Sequence, residues 1–225
     1  MTYGIVISSF KYGHLAAHAV ESVLAQNVKF DKIWFVDDGV GDCEHIKSIY
    51  GERINFVKNE SNIGIVDNFN KMLNLVDTDY VMFLGADNWL RSDTLYFLKS
   101  TFEKESFIVS GGVTFKRDES DVHIVTYDIM VTGELKEDIH QFYSSFMADL
   151  NGDYYWNRAG GHHGSMMYSV SLAKEVGGYA HNNTSNRTDE DMNLWNKMIN
   201  ARAIVRHIPE ALLYYRRHKE NFNKY

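Results

Sequence analysis

The 225-residue sequence is poor in the residues that staple or divide a chain: it has one cysteine, Cys43, and one proline, Pro209. A single thiol excludes an internal disulfide, and a chain of this size buries enough surface to do without one. The solitary proline leaves no Pro-rich linker, and no internal repeat or low-complexity tract breaks the sequence into units. No apolar run approaches the ~18 residues that a bilayer crossing requires. The N-terminal Met-Thr-Tyr-Gly-Ile-Val-Ile-Ser-Ser lacks the basic and long apolar regions of a signal peptide. A basic surplus is missing too. Against 30 Asp and Glu stand 23 Lys and Arg, a net charge of −7, which argues against a nucleic-acid partner bound on a basic face. What remains is 44% hydrophobic and 24% charged, the balance of a chain with a real core. The expectation is one cytoplasmic domain over residues 1–225, with peripheral attachment to the inner face of a membrane left open.

The first half alternates strand and helix signals. Tyr3 to Ser9 is a short apolar run ending in small polar residues, and Leu15, Ala16, Ala19, Val20, Val23 and Leu24 follow at helical spacing. Lys32 to Val36 reads as a second buried strand and Ile54 to Val57 as a third. Ile65, Phe69, Met72, Leu73 and Val76 mark another helix, Tyr80 to Leu84 another strand, and Ser92 an N-cap before Leu95, Leu98 and Phe102. This alternation predicts an α/β fold with a Rossmann-like, mostly parallel sheet flanked by helices. The second half is less regular. Ile139, Phe142, Tyr143 and Phe146 suggest a helix, Asp149 to Arg158 is polar and aromatic, and Gly160-Gly161-His162-His163-Gly164 reads as a loop before a strand at Ser165 to Ser169. Asp189 to Asn200 carries a helical stripe, and Ala203 to Ile208 and Ala211 to Tyr215 read as two short strands around Pro209. The expectation is a ligand-binding half over about residues 1–115 and a less regular, acceptor-binding half over about residues 116–225.

In open parallel sheets ligands bind beyond the carboxyl ends of the strands. Ser8-Ser9, Asp37-Asp38-Gly39 and Gly85-Ala86-Asp87-Asn88 stand at such ends, and right-handed crossovers place them on one rim. Acidic groups on that rim point to a bound cation. The Asp37-Asp38-Gly39 turn suits a base N–H or a ribose hydroxyl, and equally suits a plain polar strand cap. Asp87 offers the oxygen ligand that a hard cation such as Mn²⁺ or Mg²⁺ takes, with diphosphate oxygens and water completing the shell. Thr188-Asp189-Glu190-Asp191 opens a helix, where acids suit the macrodipole; the alternative is that Asp191 projects into the cleft as a general base. His162, His163 and His218 lack the helical spacing of a zinc site. Arg216 and Arg217 suit either a phosphate or surface acids.

Eight segments occur in a telling order: Ile7-Ser8-Ser9-Phe10-Lys11, Glu21-Ser22-Val23-Leu24-Ala25-Gln26, Val36-Asp37-Asp38-Gly39, Asn62-Ile63-Gly64 with Asn68 and Asn70, Phe83-Leu84-Gly85-Ala86-Asp87-Asn88, Glu175-Val176-Gly177-Gly178-Tyr179, Glu190-Asp191-Met192-Asn193-Leu194-Trp195, and Tyr215-Arg216-Arg217-His218. In that order the sequence resembles the family 2 glycosyltransferases, inverting enzymes of the GT-A fold. Ser8-Ser9-Phe10-Lys11 stands where that family has Pro-Thr-Tyr-Asn, and Ala86 and Asn88 stand where many relatives carry acids. The resemblance implies transfer of a sugar from a nucleotide-diphosphate donor, a UDP-sugar first, to a hydroxyl of a glycan, lipid-linked or other acceptor, in bacterial-type polysaccharide or glycoconjugate synthesis. It implies donor contacts from Ser8, Phe10, Asp38, Gly64, Asn68, Asn70, Ala86 and Asp87, and a divalent cation, Mn²⁺ or Mg²⁺, on Asp87 and His218. Asp191 would be the base, and Trp156, Gly161, His162, His163 and Glu190 would face the acceptor. A catalytically silent sugar-nucleotide or glycan-binding module is the alternative. A nucleotidyltransferase is disfavoured, because no Gly-x-Gly-x-x-x-Arg loop is present.

Overall fold

The structure, a computed structural model, describes residues 1–103, 108–110, 113–115, 123–133, 163–180 and 190–218. Its strands are β1 (Tyr3–Ser9), β2 (Lys32–Asp37), β3 (Asn55–Lys58), β4 (Tyr80–Gly85), β5 (Trp89–Leu90), β6 (Ile108–Ser110), β7 (Val113–Phe115), β8 (Ile124–Gly133), β9 (Met166–Ser169) and β10 (Val205–Arg217). Its helices are α1 (Gly13–Leu24), α2 (Glu44–Tyr50), α3 (Ile65–Leu75), α4 (Thr94–Glu103), α5 (Val170–Glu175) and α6 (Glu190–Asn200). Eight strands form one sheet in the order β3-β2-β1-β4-β9-β8-β10-β5, and β6 pairs with β7 apart from it. Strands β3, β2, β1 and β4 are mutually parallel, as is β10 to β8. Strands β9 and β5 run antiparallel to their neighbours. The sheet is therefore mostly parallel and α/β, as the alternating pattern predicts.

Period-two alternation divides the apolar strand residues between two faces. Ile5, Ile7, Ile33, Phe35, Met82 and Leu84 share one core with Ala16, Ala19, Val20 and Val23 of α1, Ile46 of α2, and Leu95, Leu98 and Phe102 of α4. Val6, Trp34, Val36, Val81 and Phe83 share the other with Phe69, Met72 and Leu73 of α3, Leu172 of α5, and Leu194, Trp195 and Met198 of α6. Both faces of the central strands are covered, which is why these strands read as continuous apolar runs rather than alternating ones.

The structure corrects several sequence expectations. The two short strands expected around Pro209 are a single strand, β10, whose register against β8 shifts between Ile208 and Ala211 and again between Ala211 and Leu213. Proline has no N–H for a ladder, and a bulge removes the need for one. Ser92 is not the cap of α4, which begins at Thr94 after Asp93. The strand expected over Ser165 to Ser169 opens as a 3₁₀ turn, His163–Ser165, before β9. The helix expected at Ile139 to Phe146 and the aromatic stretch Asp149 to Arg158 lie outside the described residues.

One buried amide ties the sheet's flank together. Gln26, fully buried just past α1, donates through Nε2 to the carbonyls of Ser22 (3.0 Å) and Arg91 (2.7 Å) and accepts from the Leu95 N–H (3.0 Å). Gln26→Leu strands those groups without water. It is expected to lower the unfolding free energy by about 1–3 kcal/mol, read as a lower urea midpoint at unchanged slope.

Candidate active site

Strand β1 lies between β2 and β4, and its last two carbonyls reach out to both sides. The Asp38 N–H donates to Ser9 O and the Ala86 N–H to Ser8 O, each at 2.9 Å. The Asp37-Asp38-Gly39 turn and the Gly85-Ala86-Asp87-Asn88 turn therefore flank the end of β1 on one rim, as expected. Because β9 runs antiparallel to β4, with Tyr168 opposite Val81 and Ser169 opposite Tyr80, the preceding His163–Ser165 turn also lies at the carboxyl end of β4.

Asp38 is buried, at 3% exposure, and its carboxylate is well supplied with donors. Oδ1 accepts from Asn59 Nδ2 (2.7 Å) and the Ile63 N–H (3.2 Å), and Oδ2 accepts from Asn62 Nδ2 (3.0 Å). Asn59 is oriented in turn by Lys71 Nζ, which donates to its Oδ1 at 2.6 Å, and its Nδ2 also reaches Asn68 Oδ1 at 3.0 Å. Asn68 then donates to Ser8 Oγ at 3.2 Å. Ser8, Asp38 and Asn68 thus belong to one buried polar network joining β1, β2 and α3. Gly39 lets the segments close: its φ is +78°, and a Cβ there would lie 2.0 Å from the Ser61 carbonyl carbon. Gly64, at φ +85°, turns the same loop into α3. Phe10 stands at the end of β1, 40% exposed, beneath the Lys11 ammonium at 4.8 Å.

Asn70 is placed differently from Asn68. Two residues along a helix turns a side chain through more than half a circle, and Asn70 clasps the Tyr179 backbone, donating to its carbonyl (2.9 Å) and accepting from its N–H (2.8 Å). Its amide is committed there rather than to the Asp38 network.

Asp87 is buried beyond β4, at 7% exposure. His218 Nε2 lies 3.2 Å from Oδ2, and Asn88 Nδ2 donates to Oδ1 at 2.9 Å. Burial pushes the Asp87 carboxyl above the usual carboxylate range, against the opposing pull of His218, a backbone hydrogen bond and Arg216. Ala86, before it in the turn, is fully buried in the core. The Asp87 carboxylate suits Mn²⁺ or Mg²⁺, the His218 nitrogen beside it favours Mn²⁺ of the two, and a cation there would offset the cost of the ionised carboxylate. A second acidic group, Asp37, Asp42 and Cys43, brings ligand atoms within 4.8 Å of one another. Its chemistry fits a cation less well. Asp37 accepts from the backbone N–H groups of Val40 and Gly41, and Asp42 accepts from the Gly13 N–H. Burial pushes the Cys43 thiol up to about 12, with Asp42 and Asp37 adding to the shift against a hydrogen bond with Ser9; a protonated thiol is a poor ligand.

On the other side of β4, Tyr168 and Tyr179 share a hydroxyl–hydroxyl hydrogen bond, and Tyr179 OH meets His163 Nε2 at 2.5 Å. His163 stacks on Phe69 at 4.5 Å. Burial raises both tyrosine hydroxyls far above their ordinary range, and the charge of Asp191 adds to the shift of each. Asp191, half-buried in the first turn of α6, thus stands near the tyrosine pair, with the buried Glu190 before it. Tyr127 hydrogen-bonds the Gly164 carbonyl and anchors the turn that carries His163. Trp156, Gly161 and His162 lie outside the described residues. No motif of the sequence points to Asn59, Lys71, Tyr127 or Tyr168 as site residues. Asn59 had one available signal, a polar residue directly after a strand.

Residues 4–177 match the description of glycosyl transferase family 2. The chain belongs to that family, and its fold is of the GT-A type. It resembles S. aureus TarS residues 1–349 in complex with UDP-GlcNAc at a TM-score of 0.71 and 13% identity, over 98% of this chain and 60% of that one. It resembles the mannosyltransferase PcManGT from Pyrobaculum calidifontis, in complex with GDP-Man and Mn²⁺, at a TM-score of 0.66 and 13% identity, over 98% of this chain and 58% of that one. The chain thus spans about three fifths of the length of these structures. No curated protein matches it. Among the described residues, no helix is long and apolar enough to cross a membrane.

Asp38→Asn places an NH₂ among donors from Asn59, Asn62 and Ile63. It is expected to destabilise the protein by about 1–3 kcal/mol without any nucleotide present. Urea unfolding of the ligand-free protein checks this, and an unchanged midpoint would contradict the network.

Proposed function

We propose that the chain is an inverting glycosyltransferase that moves a sugar from a nucleotide-diphosphate donor, a UDP-sugar first, to an acceptor hydroxyl in polysaccharide or glycoconjugate synthesis. The observation that carries the reading is the pair of turns on either side of β1: a buried Asp38 network on one side and the Asp87–His218 pair on the other, in a chain of family 2. Ser8, Asp38, Gly64 and Asn68 form the wall against which the nucleoside rests, with Phe10 as its exposed apolar face. Asn70 is left out of that wall because its amide serves Tyr179.

Asp87 and His218 would hold a divalent cation, which supplies positive charge for the departing nucleoside diphosphate. Asp191 accepts the proton of the incoming hydroxyl, a contribution worth roughly 10²–10⁴ in rate. Tyr168 and Tyr179 lie close enough to Asp191 for its charge to raise their hydroxyls. A single displacement with inversion needs no covalent intermediate, so no activated serine or cysteine is required. Glu190 and His163, with Trp156, Gly161 and His162, form the proposed acceptor side.

Thermal shift with UDP, GDP, dTDP and CDP, each with and without Mn²⁺, tests the donor side. The expected result is the largest rise with UDP plus Mn²⁺, and loss of the Mn²⁺ increment in Asp87→Asn. Asp191→Asn is expected to keep nucleotide binding while turnover falls by at least ~10²-fold. Ala86 and Asn88 leave Asp87 as the only carboxylate of its motif, and this favours a second reading, the silent binding module. Binding without turnover across a donor panel would establish that reading instead.

A further inference from the structure

Arg216 sits two residues before His218 and ties the Asp87 turn to α1 and β5. Its backbone N–H donates to Asn88 Oδ1 (2.9 Å) and its Nε to the Asp87 carbonyl (3.0 Å). Its Nη2 donates to His18 Nδ1 (2.9 Å), and its guanidinium lies 4.8 Å from the centre of the Trp89 ring. The first contact fixes the Asn88 amide: with Oδ1 turned to Arg216, Nδ2 must face Asp87 Oδ1, where it is found at 2.9 Å. The second holds the backbone of Asp87 itself. The backbone at 216 thus orients the carboxylate through Asn88, and the guanidinium holds the peptide that carries it.

The guanidinium is itself held. His18, on the outer side of α1, stacks on Trp89 at 4.5 Å and 24°, and Trp89 stacks on Tyr214 at 5.2 Å and 9°. Arginine can only donate, so Nδ1 of His18 must accept, which requires the neutral imidazole. Desolvation and the Arg216 charge lower the His18 pKa, in keeping with that role. A lysine cannot reproduce the arrangement, because an ammonium has no planar fork to lie over an indole while donating in two fixed directions.

We propose that Arg216 is a positioning residue for Asp87, held by the Nδ1 acceptor of His18, so that a surface histidine on α1 sets the affinity for the divalent cation. The proposal rests on the reading of Asp87 as a cation ligand. It also assigns Arg216 to the fold of the site rather than to the donor diphosphate.

The test is Mn²⁺ titration of the full chain, followed by the loss of the free-ion paramagnetic resonance signal, with UDP, GDP, dTDP or CDP present in turn. His18→Leu keeps an exposed position filled but removes the acceptor; His18→Asn restores an acceptor close to the place of Nδ1. Both His18→Leu and Arg216→Lys are expected to weaken Mn²⁺ binding by about tenfold, the effect of removing an outer-shell partner. His18→Asn is expected to return it close to the parent value. With Mn²⁺ saturating, kcat of His18→Leu should match the parent, so the loss appears only in the metal dependence. Parent-like Mn²⁺ binding in His18→Leu, or failure of His18→Asn to restore it, overturns the proposal. Asp87→Asn is the control: unchanged Mn²⁺ binding there removes the underlying cation reading, whereas weakened binding there beside an unaffected His18→Leu removes only the positioning role.

Discussion

Successive carbonyls of a β-strand point to opposite edges, and the site depends on which two end β1. Ser8 O faces β4 and holds the Ala86 N–H, while Ser9 O faces β2 and holds the Asp38 N–H. A one-residue slip of β1 would exchange these partners and would also turn Ile5 and Ile7 from one core to the other. The registry that fills the two apolar layers is thus the same one that spaces the Asp38 and Asp87 turns. Packing and chemistry are fixed by a single constraint.

The rim between those turns is polar where the rest of the sheet is not. Asp38, Asn59, Asn68, Asp87 and Asn88 are all buried, and each would be costly there without partners. They satisfy one another instead. Asn59 uses both ends of its amide on Asp38, Asn68 and Lys71, and Asn88 does the same between Asp87 and Arg216. Networks of this kind leave side chains little freedom to reorganise. Gly39 is the geometric condition for it, since its missing Cβ admits the Ser61–Asn62 backbone.

Much of this was legible in the sequence, for reasons that differ by element. The parallel half could be read because its strands are short apolar runs separated by helices, and because the polar residues at their ends fall where such sheets bind ligands. Asp37-Asp38-Gly39 and Asp87 stood out for that reason. The pairing of β10 could not be read, since Pro209 signals a break and only the ladder with β8 reveals a bulge. Nor could the difference between Asn68 and Asn70, which depends on what lies on each side of α3. Tyr168 and His18 were silent, and Asn59 nearly so, because each matters through a distant partner or a stack: Asp38 lies 21 residues from Asn59, and Arg216 lies 198 from His18. Strand β8 carries no motif, and nothing in its sequence pointed to it.

The lone thiol has a practical corollary. Cys43 has no accessible surface, lies within hydrogen-bond reach of Ser9 Oγ and Asp42 Oδ1, and is pushed up to about 12 by burial, so it offers almost no thiolate to an electrophile near neutrality. The folded chain is accordingly a natural blank for maleimide chemistry: a cysteine introduced on the surface would accept a spectroscopic probe alone, with no native competitor to delete first.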